Sequence, residues 1–194
     1  MHSPQSVRSS AHRLDWDTKP EPFKIYPDLP VVALPRDFPV PAQDALPAIS
    51  GEPPAAGTVD IERLAALLFF TAGVTKQKTY PGGGIMYFRA APSTGALYQT
   101  EVYVVAADVA GLEPGVYHFS PGDFVLRRLR DGDFRGALAI AAADEDMAVR
   151  PATLVLSGIY WRNTWKYQAR GTGISSGTRD PCWRTCSPPP PRSI

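Results

Sequence analysis

Eleven of the chain's 21 prolines fall before residue 58, among them Pro20, Pro22, Pro27, Pro30, Pro35, Pro39 and Pro41. Each fixes φ and removes a backbone donor, so this stretch cannot run as a regular helix or a central strand. Yet Trp16, Phe23, Tyr26, Leu29, Leu34 and Phe38 are interspersed along it, and segments that stay unfolded carry few such residues. Together these facts predict an extended arm over residues 1–57, laid across a domain or a partner. A loose leader is the alternative reading.

Beyond the arm the pattern is that of a globular domain over residues 58–170. Asp60 stands as an N-cap before a predicted helix, Ile61 to Ala72, whose Ile61, Leu64, Leu67 and Leu68 recur at helical spacing and which Gly73 stops. Residues 76–87 read as a loop around Gly82-Gly83-Gly84. No Gly-Lys-Ser/Thr follows it and no strand is read before it, so a mobile turn is expected there rather than a phosphate cradle. Glu101 to Ala107 reads as a strand, Pro114-Gly115 as a turn into a second, and Pro121-Gly122 as a turn into a third, Phe124 to Leu129. An Ala-rich helix, Phe134 to Ala143, and a buried-type strand, Thr153 to Trp161, complete the series. That order is mixed α+β rather than regular βαβ alternation. The chain also lacks Gly-x-Gly-x-x-Gly, which argues against a dinucleotide-binding domain.

Chemistry concentrates in residues 89–105, where Pro92-Ser93-Thr94-Gly95-Ala96 opens onto an apolar strand. Small residues let a backbone approach a flat ring closely, and exposed N–H groups can then read the ring's edge. Arg89, just upstream, can face a phosphate or an anionic ring. This segment resembles the flavin-binding loop of the nitroreductase-like FMN enzymes. It is most similar to their SagB/ThcOx branch, the dehydrogenases that finish thiazole and oxazole rings in modified peptides. Two further stretches share the resemblance. Leu14 to Pro27 looks like the leader found before SagB-type domains, where family members begin somewhat earlier. Arg162-Asn-Thr-Trp-Lys-Tyr-Gln-Ala-Arg170 resembles their Arg-x-x-x-Lys-Tyr-Gly-x-Arg segment, with Gln168 where Gly is usual.

The resemblance, spanning Leu14 to Arg170, implies a nitroreductase-like α+β fold with a mixed, largely antiparallel sheet flanked by helices. It implies FMN as cofactor, a homodimer with FMN at its interface, and peptide-modifying partner enzymes. Carried over residue by residue, it makes Lys166 and Tyr167 the catalytic pair. Ser93, Gly95, Ala96 and Leu97 become flavin contacts, and Arg89 and Arg170 face the phosphate or the reduced ring's charge. Oxidising an azoline removes a hydride from one carbon and a proton from its neighbour, so a base is needed. Burial lowers a lysine's pKa and a cation helps a tyrosine ionise, so either member of the pair suits that task. Gln99 departs from the family's common Pro, and Thr94 from a smaller residue. A generic NAD(P)H-dependent nitroreductase and a non-catalytic partner subunit remain the alternatives.

Composition narrows the other classes. A formal charge of +1 gives no bias toward nucleic acid or acidic membrane. The longest purely apolar run, Leu64 to Phe70, is too short to span a bilayer. With no signal peptide read at the N-terminus, a cytoplasmic location is expected. His2, His12 and His118 lack ligand spacing, and His118 reads as a structural strand residue. Cys182 and Cys186 form a lone C-x3-C, too few ligands for zinc. Glu62 and Asp144-Glu145-Asp146 read as surface charges.

Residues 171–194 lack hydrophobic periodicity and end in the Pro188–Pro191 run. The family would continue with Tyr-Arg-His, then Asp-x-Gly and an Ala/Leu-rich helix. A shifted reading frame permits Tyr-Arg-His-Phe-Leu-Trp-Asp-Ala-Gly followed by such a run. The expectation is a one-base deletion near codon 171 that leaves the fold incomplete at its C-terminus. A natural Pro-rich tail is the alternative.

Overall fold

A computed structural model describes residues 12–38, 40, 44–51 and 58–171. The Pro-rich tail, with Cys182, Cys186 and the shifted-frame expectation, lies outside the described residues, as does His2. In chain order the elements are β1 (Val31–Ala33), α1 (Ala45–Ser50), α2 (Ile61–Ala72), β2 (Val74–Thr79) and β3 (Ile85–Arg89). They continue with β4 (Thr100–Ala106), β5 (Gly115–Ser120), β6 (Val125–Asp131), α3 (Arg135–Ala142), β7 (Ala152–Gly158) and α4 (Tyr160–Tyr167). Five strands form an antiparallel sheet in the order β1-β6-β5-β4-β7, and β2 and β3 form a separate ribbon.

Strand alternation gives the sheet two unlike faces. Val102, Val104 and Ala106 of β4, Tyr117 and Phe119 of β5, and Leu126 of β6 join one hydrophobic core with Leu64, Ala65, Leu68 and Ala72 of α2. The intervening residues on β4 and β5 include Glu101, Tyr103 and His118, with Tyr103 directly opposite His118. The proline-rich arm covers this second, polar set. Lys24 Nζ donates to the Tyr103 hydroxyl at 2.9 Å, the Tyr26 ring packs edge-on against His118, and Arg127 Nη1 donates to the Tyr26 carbonyl at 3.1 Å. Further along, the arm supplies β1, an edge strand paired with β6, the position that proline-flanked strands tolerate. Phe38 then packs against Phe69, Phe70 and Phe124.

The helix expected from Ile61 to Ala72 is α2, with the Asp60 carboxylate accepting the Arg63 N–H at 2.8 Å and Gly73 as C-cap. Three expectations need correction. Residues 76–87 are not a simple loop: β2 and β3 pair through them, and the glycines only reverse the chain, with Tyr80 N–H donating to the Gly84 carbonyl at 2.8 Å. The last strand stops at Gly158 rather than Trp161, and residues from Tyr160 onward turn into α4. The arm also holds one short helix, α1, whose Pro47 sits in the first turn where a missing N–H is tolerated.

Leu68 is fully buried between α2 and the sheet. Its replacement by alanine should lower the unfolding free energy by about 2–5 kcal/mol, read as a fall in urea midpoint. Ile140→Ala, at a side chain 84% exposed, should stay within about 0.5 kcal/mol.

Candidate functional site

The connection from β3 to β4 departs from ordinary backbone geometry. Gly95 has φ of 67°, Ala96 of 53° and Tyr98 of 42°. For the two residues with side chains this is strain that surrounding contacts must hold. Ser93 supplies part of that hold: its carbonyl accepts the Ala96 N–H and its hydroxyl the Tyr98 N–H, both at 3.0 Å. The Tyr98 hydroxyl in turn accepts the Arg89 N–H at 3.0 Å. The loop's ends are thus tied to each other, leaving Thr94 and Gly95 exposed at its tip.

Lys166 and Tyr167 reach this tip from α4. A Cβ placed on Gly95 would lie 2.6 Å from the Tyr167 hydroxyl and 3.2 Å from Lys166 Nζ. Only glycine leaves room for both groups there. A cleft of about 180 Å³ runs alongside, lined by Arg89, Gly95, Ala96, Leu97, Tyr98, Trp165 and Lys166. Ile85, Met86 and Tyr87 of β3 form another wall, and Trp16 and Phe23 of the arm a third. Trp16 packs edge-on against Trp165 at 5.6 Å between centroids, and Phe23 against Tyr87 at 4.8 Å.

Beneath the cleft lies a buried charged cluster. Glu101 is 2% exposed, Arg162 3% and His118 0%. Arg162 forms a short salt bridge with Glu101 Oε1, while Glu101 Oε2 meets His118 Nε2 at 2.7 Å. Burial pushes the Glu101 carboxyl upward, but His118, Arg162 and Arg89 together outweigh it and hold its pKa below the ordinary value. Arg162 also donates through Nη1 to the Tyr98 carbonyl at 2.7 Å and through Nε to the Glu21 carbonyl at 3.2 Å. Next to it Asn163 Nδ2 donates to Gln99 Oε1 at 2.9 Å, and Ile159 N–H to the Gln99 carbonyl at 2.8 Å. Arg89 is stacked between the rings of Phe23 and Tyr98 and donates to the Pro22 carbonyl at 2.9 Å. Burial brings its pKa down to about 10, and its Nε makes no hydrogen bond among the described residues.

Of the residues singled out from sequence, Arg89, Gly95, Ala96, Leu97 and Lys166 line one cleft, and the Tyr167 hydroxyl meets it at Gly95. Ser93 lies to one side, lining a neighbouring recess of about 20 Å³ together with Arg89 and Tyr98. Arg170 sits half-buried in the short turn Gln168–Arg170, apart from the cleft lining. Glu101, Arg162 and the aromatic walls were not singled out. Glu101 carried a readable signal, because a carboxylate within an apolar strand needs a buried cation. Among the described residues no group of His, Cys, Asp and Glu could hold a metal ion, and no helix is long and apolar enough to cross a membrane.

No protein-family model matches the chain. In sequence it is 34% identical over 112 residues to the "putative nitroreductase" of Methanocaldococcus jannaschii, covering 57% of this chain and 52% of that one. The crystal structure of a "putative nitroreductase" from Anabaena variabilis superposes with a TM-score of 0.75 at 26% identity. That match takes in 95% of this chain and 35% of the other. The chain therefore spans about half the length of its curated relative and about a third of that structure. A Ralstonia eutropha "putative nitroreductase" shares the fold at TM-score 0.58 and 20% identity, over 80% of this chain and 69% of that one. The Escherichia coli microcin synthetase McbBCD complex, solved with truncated pro-MccB17 bound, shares it at TM-score 0.52 and 18% identity, over 80% and 61%. The fold is nitroreductase-like: mixed α+β, with a largely antiparallel sheet and flanking helices.

The lowered pKa of Glu101 makes a signed prediction. Its contribution to stability is fully present above the ordinary glutamate value of 4.5 and is lost as pH falls through the depressed folded value. Glu101→Gln should be less stable than the parent at neutral pH, with the gap in urea midpoint narrowing as the solution is acidified. A gap independent of pH would contradict this.

Proposed function

We propose that this chain is an FMN-dependent oxidoreductase of the SagB type, carrying out the two-electron oxidation of an azoline or similar heterocycle in a modified peptide. The observation that carries the reading is the meeting of Lys166 Nζ and the Tyr167 hydroxyl at Gly95, on a loop of small residues beside a buried arginine. The residues present fit a flavin. Gly95 is exposed at the loop tip, where its lack of a side chain makes room for Lys166 and Tyr167, and Arg89 offers an orphaned Nε in a cleft it lines. Gly95, Ala96 and Leu97 would hold the ring by their backbone, with Arg89 facing its negative charge. Ser93 would act mainly by fixing the loop, since its hydroxyl already accepts the Tyr98 N–H. Arg170 is the outlying member of the set and would reach a phosphate from the edge.

When bound, FMN would supply the hydride acceptor, and dioxygen or another acceptor would regenerate it. The chain's own residues handle the rest of the balance. Lys166 or Tyr167 would take the proton from the azoline carbon next to the one that gives up its hydride, leaving an aromatic ring. The aromatic walls of Trp16, Phe23, Tyr87 and Trp165 would exclude water and flank a planar heterocycle. A homodimer with FMN at its interface, and peptide-modifying enzymes as partners, belong to the same proposal. The fold shared with a peptide-bound microcin synthetase complex supports the peptide substrate.

A second reading, a generic NAD(P)H-dependent nitroreductase, draws support from the likeness to the Methanocaldococcus and Anabaena proteins. Oxidation of NADPH by a nitroaromatic would favour it, whereas an azoline oxidase ignores nicotinamides.

The full chain mixed with FMN should retain yellow flavin absorbance after gel filtration and release FMN on denaturation. Lys166→Met and Tyr167→Phe should keep the flavin, and the variant lacking the operative base should turn over an azoline peptide about 10²–10⁴-fold more slowly. A folded, colourless protein unable to take up FMN would overturn the flavoenzyme reading and leave a non-catalytic partner subunit.

A further inference from the structure

We propose that Arg162 and the Asn163–Gln99 pair are positioning residues that lock α4 against the 92–98 loop, so that Lys166 and Tyr167 converge on Gly95. The inference rests on reading those two residues as the proton-handling pair. Helix α4 has eight residues and no side-chain N-cap, and a helix that short does not hold itself in water. Its outer side is bare, with Tyr160 51% and Trp161 52% exposed. Its placement therefore comes from tertiary contacts: Trp165 packs against the arm, and the first turn grips the loop and β4. Arg162 stands four residues before Lys166, and Asn163 four before Tyr167. On a helix such pairs lie one above the other on the same face. Fixing Arg162 and Asn163 thus fixes both the rotation and the depth of Lys166 and Tyr167.

The grip is specific. The guanidinium of Arg162 reaches three separate segments: the Glu21 carbonyl of the arm, the Tyr98 carbonyl of the loop and the Glu101 carboxylate of β4. His118 holds the far oxygen of that carboxylate, so Glu101 cannot swing away. Gln99 accepts from Asn163 with its side chain and from Ile159 with its backbone, just where the loop becomes β4. Gln99, a departure from the family's common Pro, supplies here an acceptor that Pro lacks. A lysine at 162 would keep the charge but not the planar fork that serves three acceptors.

The test compares the full-length parent with Arg162→Lys. Without FMN, the protein is treated with an amine-acylating reagent and modification of Lys166 is quantified against the exposed Lys76 and Lys78. With FMN, kcat and KM for an azoline peptide are measured. Loss of positioning should raise the Lys166 ratio several-fold and lower kcat on the order of 10²-fold with little change in KM. A ratio and kcat equal to the parent's would overturn the proposal and leave Arg162 a mere counter-charge to Glu101. Should Arg162→Lys not fold, Gln99→Met, which leaves every charge in place, carries the comparison. Its ratio should shift in the same direction, and an unshifted ratio overturns the proposal. Should the protein take up no flavin, the reading of its function fails on its own, and the labelling ratio still decides the positioning role.

Discussion

A carboxylate buried on the arm-covered face of a sheet, as Glu101 is, stays charged only where cations and donors replace the water it has lost. Here His118 comes from the neighbouring strand and Arg162 from the helix that follows the last strand. Once Arg162 is committed to that carboxylate, its remaining donors are directed outward, to a loop carbonyl and an arm carbonyl. Three stretches far apart in sequence are drawn to one point by a single ionic requirement. The cleft lies beside that point, with Glu21, Arg89 and Tyr98 in its lining.

The fold and the loop agree in what they offer a ligand. The sheet brings its polar face up under the arm, β3 and α4 set aromatic rings around a cleft, and the loop tip leaves room at Gly95 for Lys166 and Tyr167. The arrangement suits a flat, partly anionic molecule better than a flexible or strongly cationic one. The similar proteins share this frame while differing from the chain in length and, at 18–34% identity, in most side chains. Frame and surface are therefore separable, and the chemistry has to be sought in the few groups at Gly95.

Local signals in the sequence were legible and distant ones were not. Helix α2 could be read because its apolar stripe, its Asp60 cap and its Gly73 stop all lie within the helix or beside it. The β2–β3 ribbon escaped because Thr75 to Thr79 are exposed on both faces, leaving no period-two pattern to see. Helix α4 escaped for a different reason. Its Tyr-Trp-Arg-Asn-Thr-Trp-Lys-Tyr is rich in strand-favouring aromatics, and partners at Tyr98, Gln99 and Glu101 hold it as a helix. Family likeness marked positions in the chain, of which Arg89, Gly95, Ala96, Leu97 and Lys166 line one cleft. It could not say that Ser93 turns its hydroxyl inward or that Arg170 sits apart.

The arm's attachment to α4 has a consequence for when the cleft comes into being. Trp165 Nε1 donates to the Asp15 carbonyl at 2.7 Å across 150 residues of sequence, and Arg162 binds the Glu21 carbonyl across 141. Contacts of such separation require the closure of a long loop, and topologies rich in them fold more slowly. During synthesis the stretch of the arm holding Asp15 and Glu21 emerges early yet lacks these partners until α4 has left the ribosome. The sheet, with β1 and Tyr26 of the arm already on it, and α2 can assemble before then. The last step of folding is then the arrival of one wall of the cleft.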